Sequence, residues 1–369
     1  MPMLDALFQL MVAKGASDMH LCCGEKPIFR ISGTITRLEE FGEITQEDAI
    51  TVLTEIMPER NQQEFSERKD TDFAYELAGA GRYRCNVFED RKGWGGVFRL
   101  IPDKILTFEQ LNLPNACREF CQLQKGLVVV TGPTGSGKST TLAAMIDWIN
   151  NHREEHILTI EDPVEFVHPN KKCLVNQREV HRHTKSFKNA LRAALREDHD
   201  IVLVGEMRDL ETVEIAIETA ETGHLVYGTL HTNTASSTVD RIIDQFPADR
   251  QQQIRTMLST SLKGVVAQNL LKKIGGGRVA ALEILVVTSG IASMIRDGKT
   301  YQIPSAMQVG KKYGMVSLND ALLAHVAAER VTPEEAFFKA ADKSDFLKRL
   351  KDEVGKTVNP AIAKVDDLK

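Results

Sequence analysis

The run "LVVVTGPTGSGKSTTLAAMI", residues 127–146, constrains the fold of this chain more than any other stretch. A short apolar, β-branched strand leads into a glycine-rich turn, and the first turns of a helix follow at once. Within it "GPTGSGKS", residues 132–139, fits G-x-x-x-x-G-K-[ST] in the strand–turn–helix setting that the motif requires. Such a loop leaves backbone N–H groups unpaired at a helix N-terminus, where the peptide dipoles favour an anion. Pro133, Thr134, Gly135, Ser136 and Gly137 would wrap phosphates with their backbone, continuing through Lys138, Ser139 and Thr140. Lys138 would bring a point charge to the β and γ groups, and the Ser139 hydroxyl would face Mg²⁺.

Around this stretch, from about residue 116, short apolar runs alternate with amphipathic segments. "GLVVVTG", "HILTIED", "DIVLVGE" and "HLVYGTLHT" each end in polar or glycine residues, as buried parallel strands do. "SFKNALRAALRED" puts Phe187, Leu191 and Leu195 four apart on one helical face, and "LETVEIAIETAETG" ends on Gly223, a natural helix stop. A parallel sheet flanked by helices is expected, with functional residues at the carboxyl ends of its strands. Beyond residue 270 the chain reads as mainly helical, and residues 346–369 read as a charged, loosely held tail.

Residues 1–102 differ in texture. "KPIFRIS" and "RYRCNVF" read as strands, "GEITQEDAITVLTEIM" as a capped helix, and "GAGRYRCNVFEDRKGWGGVFRLI" as two strands joined by a glycine-rich hairpin. That is a small α+β domain, followed by a linker over 103–115 in the stretch bounded by Pro102 and Pro114. A length of 369 residues suits two domains. The opening "MPMLDALFQLMVAKGASDMH" lacks a cationic leader and a small-residue cleavage site, so it reads as the first helix of the fold. No run reaches the ~20 apolar residues that span a bilayer, so a soluble, cytoplasmic protein is expected.

Four strand ends offer polar groups where a γ-phosphate would sit. "TIEDPVEF" clusters Glu161, Asp162 and Glu165; "IVLVGEMRD" places Glu206 just after an apolar strand; His224 and His231 flank "LVYGTL". Seven positions separate the two histidines, which puts them at opposite strand ends in different roles. Hydrolysis needs an oriented water and charge neutralisation. Glu165 and Glu206 are the candidates, one holding Mg²⁺ through water and the other positioning the attacking water, with His231 as a γ-phosphate sensor. Ser139 and Glu206 are the expected metal-side residues.

In this order, the P-loop, "EDPVEF", "GEMRD" and "TGHLVYGTLHTN" resemble the secretion ATPase superfamily. Within it the chain looks most like the PilT family of type IV pilus retraction ATPases. "GASDMHL", "VDRIIDQFP" and "LLKKIGGGRVAALEIL" share that likeness, which runs from about residue 3 to residue 340. The resemblance implies a PAS-like N-terminal domain over 1–102 and a RecA-like P-loop ATPase domain with a helical C-terminal part over 116–345. It implies a homohexameric ring, ATP and Mg²⁺ as cofactors, and hydrolysis coupled to pilin depolymerisation and twitching motility. Its partners would be an inner-membrane platform protein, through which the ring docks peripherally at the pilus base, and related pilus ATPases. Arg84 and Arg99, on the two hairpin strands, match the family's phosphate-directed arginines, with Arg82 and Arg91 as further positions. His224 and His231 match its histidine box. Where the family carries "AIRNLIRE" this chain has "SGIASMIRDGK", with Ala292 and Ser293 replacing an arginine and an asparagine.

Other readings are a regulatory paralogue that modifies a partner motor, an assembly or secretion ATPase, and a RecA-like nucleic-acid translocase. The assembly and secretion enzymes carry a four-cysteine zinc module, whereas the six cysteines here are Cys22, Cys23, Cys85, Cys117, Cys121 and Cys173, with none beyond and no CxxC pair. A translocase calls for basic surplus and stacking aromatics. Asp and Glu total 51 against 46 Lys and Arg, and aromatics are 6%, so no nucleic-acid partner is expected.

Overall fold

The computed structural model describes residues 3–31, 33–101, 104–359 and 362. Pro102, at the end of the expected first domain, and Asp103, at the start of the expected linker, lie outside the described residues, as do 360, 361 and 363–369 of the expected tail. Two compact units emerge, one of residues 1–104 with 163–167, the other of residues 105–162 with 168–369.

The first unit opens with α1 (Met3–Ala13), β1 (Ala16–Cys22), β2 (Ile28–Ile31) and β3 (Thr34–Arg37). Then come α2 (Gln46–Ile56), α3 (Glu59–Arg68) and β4 (Asp70–Leu77), and it closes with the hairpin β5 (Gly81–Asp90) and β6 (Gly93–Ile101). The strands form one antiparallel sheet in the order β3-β2-β1-β6-β5-β4. The Thr45 hydroxyl accepts the Asp48 N–H while the Asp48 carboxylate accepts the Thr45 N–H, a capping box that fixes where α2 starts. Alternate strand residues such as Met19, Tyr83, Cys85 and Phe98 turn inward against Leu4, Phe8 and Met11 of α1. Phe8 stacks on Tyr83 with centroids 4.1 Å apart and meets Phe98 edge-on at 5.3 Å. The opposite sheet face carries the charged residues.

The second unit begins with α4 (Phe108–Leu111), α5 (Asn115–Cys121), β7 (Gly126–Thr131) and α6 (Lys138–His152). It continues through β8 (His156–Glu161), β9 (Leu174–Glu179), α7 (Phe187–Ala194), β10 (Ile201–Val204), α8 (Leu210–Glu221) and β11 (Leu225–Leu230). After α9 (Ala235–Asp244) and α10 (Ala248–Ser261), β12 (Leu262–Lys272) and β13 (Arg278–Val286) form a hairpin. Among the described residues five α-helices then follow: α11 (Ser289–Arg296), α12 (Ile303–Val309), α13 (Leu318–Ala327), α14 (Pro333–Lys339) and α15 (Lys343–Arg349).

The seven-stranded sheet runs β13-β12-β7-β11-β10-β8-β9, parallel apart from β13. Every residue of β7 is buried, as a strand covered on both faces must be. Leu127 and Val129 pack with α7 to α10, whereas Val128 and Val130 pack with α5 and α6. The buried Glu283 carboxyl, pushed up by burial, accepts the N–H of Ala235 at 2.6 Å and of Leu318 at 3.3 Å, tying the starts of α9 and α13 to β13. Among the described residues no helix is long and apolar enough to cross a membrane.

Three details differ from the sequence expectation. The chain beyond residue 270 is not mainly helical at first, because β12 runs to Lys272 and β13 returns antiparallel to it. Both strands are largely buried, so no polar alternation marked them. The helix α7 ends at Ala194, and Leu195 is 54% exposed instead of continuing the apolar face. Finally, α15 and the turn after it are packed, with Phe346 and Leu350 fully buried against Leu318, Leu322 and Phe337. Phe346→Ala is therefore expected to cost about 3–5 kcal/mol, read as a lowered unfolding midpoint in urea. A loosely held tail would give no measurable loss.

Candidate active site

Parallel register brings the functional groups of the second unit to one sheet edge. Thr131 of β7 pairs with Leu230 of β11, Gly228 with Val204 of β10, and Val204 with Ile160 of β8. The residues that follow these strands, Gly132, His231, Gly205 with Glu206, and Glu161, therefore emerge side by side.

Pro133, Thr134 and Gly135 form the exposed tip of the loop, and Ser136 turns inward. Gly137, at φ +89, caps α6, and Lys138, Ser139 and Thr140 occupy its first turn. Those first N–H groups have no intrahelical acceptors and are available to an anion. The Lys138 ammonium donates to the Gly132 carbonyl at 2.8 Å and the Pro133 carbonyl at 3.2 Å, folding across the loop where phosphates would compete for it.

Glu206 lies just beyond β10, half-buried. Its Oε1 meets His231 Nε2 at 2.7 Å and Arg208 Nε at 2.5 Å. Burial pushes the Glu206 carboxyl up, but Arg208 and then His231 outweigh it and hold it below the usual range. The Glu206 contact in turn raises Arg208 further above its ordinary value. The His231 loop is fixed from behind by hydroxyls: Thr131 donates to the Thr232 carbonyl at 2.8 Å, and Thr232 and Thr238 exchange a bond at 2.7 Å. Glu161, at the end of β8, accepts from Thr159 at 2.6 Å and from Gln177 at 3.3 Å. The Ser139 hydroxyl and Glu206 carboxylate are hard oxygen donors on this edge, the type that Mg²⁺ takes alongside nucleotide oxygens.

His224 sits elsewhere. It precedes β11, and six strand residues put it about 20 Å from the loop edge of its own sheet. There its Nδ1 meets the Thr219 carbonyl at 3.2 Å and its ring stacks on His199 at 4.5 Å. Within one chain His224 is no part of the phosphate edge, as the seven-residue spacing required.

The other candidates belong to the first unit. Glu165 lies in the segment 163–167 that groups with it. Arg84 and Arg99 stand directly opposite each other on β5 and β6, and Arg99 is level with Asp18 on β1. All three share the face away from the core. Two arginines so paired repel by about 0.2–1 kcal/mol, and Asp18 relieves this by accepting from Arg99 Nε at 2.7 Å. Burial pushes the Asp18 carboxyl up, but the Ser17 hydroxyl and Arg99 together hold it below its usual value. Arg84 is left exposed, a cation with room for an anion. Arg82 is partly buried near Glu76 at 3.8 Å, and Arg91 lies in the exposed turn. Arg208 and Asp18 were not assigned from the sequence, though both stand inside quoted motifs and Arg208 lies two residues after the assigned Glu206.

The sequence model for the family described as Type II/IV secretion system protein matches residues 1–335. The chain is 49% identical over 343 residues to the type IV pilus retractation ATPase PilT of Pseudomonas aeruginosa, covering 93% of this chain and 99% of that protein. It is 47% identical over 311 residues to a twitching motility protein of Neisseria gonorrhoeae, covering 84% and 83%. Among solved structures, the crystal structure of the pilus retraction motor PilT with bound ADP matches with a TM-score of 0.87. That match spans 95% of this chain and 99% of the other at 46% identity.

The Glu206 cluster makes a pH prediction. A carboxyl held low in the fold contributes stability above the usual carboxylate range and loses it as pH falls through the lowered value. Arg208→Ala removes the larger opposing partner, so burial gains weight and the Glu206 pKa rises. A carboxylate NMR titration should show this carboxyl protonating at higher pH in the variant than in the wild type. An unmoved titration would mean that Arg208 does not set the charge of Glu206.

Proposed function

The chain belongs to the PilT family of the Type II/IV secretion system proteins, and from that premise we propose that it is the ATP-hydrolysing motor of type IV pilus retraction. The observation that carries this reading is the single sheet edge where the phosphate loop, Glu206 and His231 converge. Near 50% identity along almost the whole of a retraction ATPase supports the same reading.

On this account the N–H groups from Gly135 to Thr140 cradle the β- and γ-phosphates, and Lys138 leaves its loop carbonyls to join them. Ser139 and Glu206 would hold Mg²⁺, which when bound would supply positive charge to the phosphate oxygens. His231, tied to Glu206, reports the γ-phosphate to the loop that starts α9. With Glu206 on the metal side, Glu165 is the carboxylate that orients the attacking water. Arg84 and Arg99 are the arginines assigned to the transferring phosphoryl group, and Asp18 holds Arg99 in its register. The assembly is a homohexamer in the cytoplasm that docks at the inner membrane through a pilus platform protein and works beside related pilus ATPases. The "SGIASMIR" helix, where the family pattern changes, favours a second reading in which the chain modulates another pilus motor.

Purified protein should run as a hexamer by mass photometry and release phosphate from MgATP. Lys138→Ala and Glu206→Gln should each lower turnover by at least ~100-fold, and Arg84→Ala by up to ~1,000-fold with ATP still bound. A wild-type protein that binds ATP without turnover would favour the modulator reading over the motor.

A further inference from the structure

Beneath the phosphate loop lies a buried amide that the motif itself does not include. Gln268, on β12, is 2% exposed, and both ends of its side chain are used. Its Nε2 donates to the Ser136 carbonyl at 2.7 Å, and its Oε1 accepts from the Thr141 hydroxyl at 2.8 Å. One residue thus ties the middle of the loop to the first turn of α6. β12 pairs with β7 up to Ala267 opposite Thr131, so Gln268 is the next residue along, level with the start of the loop.

The contacts explain why glycine is needed at two loop positions. A β-carbon on Gly132 would run into the Gln268 carbonyl oxygen, and one on Gly137 would come within 2.9 Å of Gln268 Nε2. Both residues also have positive φ, +146 and +89. The direction of the Ser136 bond matters more. In a trans peptide the C=O of one residue and the N–H of the next point opposite ways. Drawing the Ser136 carbonyl down to Gln268 therefore turns the Gly137 N–H up, away from the sheet and toward the open side of the loop. Without that acceptor contact the peptide is free to rotate, and one phosphate donor is lost.

We propose that Gln268 is a positioning residue for nucleotide binding, whose amide N–H₂ sets the Ser136–Gly137 peptide so that the loop's donors face the phosphates. The proposal rests on the reading of this loop as a nucleotide site. It requires a donor at this position, and Gln268→Glu isolates that requirement. The variant keeps shape and the acceptor for Thr141, but when ionised it sets a carboxylate against a carbonyl. When protonated, it regains an O–H that can donate to Ser136. Burial raises its pKa, so this change falls within reach of ordinary buffers.

The test measures binding of a fluorescent ADP analogue to the full chain at pH 8 and pH 6. Gln268→Glu should bind about 10- to 100-fold more weakly than wild type at pH 8, with most of that loss recovered at pH 6. Gln268→Met, which has no donor at either pH, should be weak at both. The loss should appear in KM for ATP more than in kcat. Thr141→Val, which loosens only the other end of the amide, serves if Gln268→Glu does not fold, and should weaken binding by a smaller factor. Folded variants that bind within about twofold of wild type at both pH values would overturn the proposal. A wild type that binds no ADP would instead defeat the nucleotide-site reading.

Discussion

Parallel hydrogen bonding in one buried sheet is the constraint on which the rest of the second unit depends. Because β7, β8, β10 and β11 run the same way in near-level register, their carboxyl ends share an edge. Each following loop must then deliver its polar groups to that edge. The apolar cost of enclosing β7 on both faces is met by α5 and α6 on one side and α7 to α10 on the other. That enclosure leaves the loop backbone few ways to turn, and its N–H groups gather at the start of α6.

Charge is managed at this edge by pairing. Glu206 is drawn toward neutrality by burial and back toward ionisation by Arg208 and His231, with the second influence prevailing. Lys138 rests on loop carbonyls. The Lys138 ammonium is thus stored on loop carbonyls that nucleotide phosphates could replace. Exchange of one partner for another costs less than leaving a part-buried charge unpaired, which suits a cycle that must repeat.

The strands that frame the site were legible because each is an apolar run ending in glycine or a polar residue. The P-loop was legible as a motif, and the helix ending at Gly223 as a stop, since that residue has φ +119. The hairpin of β12 and β13 escaped because burial on both faces removed its alternation. The packing of Phe346 and Leu350 escaped because charged neighbours in "KSDFLKRLKDE" concealed a four-residue apolar spacing. Arg208 and Asp18 were within the quoted motifs, but their roles depend on partners distant in sequence or on loop geometry. Asp18 and Arg99 meet 81 residues apart across a sheet, a pairing no local pattern encodes.

In the proposed function, hydrolysis at the Lys138–Glu206 edge powers pilus withdrawal. The most direct measurement follows labelled pili on living cells whose sole copy of this protein carries Glu206→Gln. Pili in those cells should extend and then persist, with retraction events lost and twitching abolished. Pili that retract at the wild-type rate in those cells would contradict it.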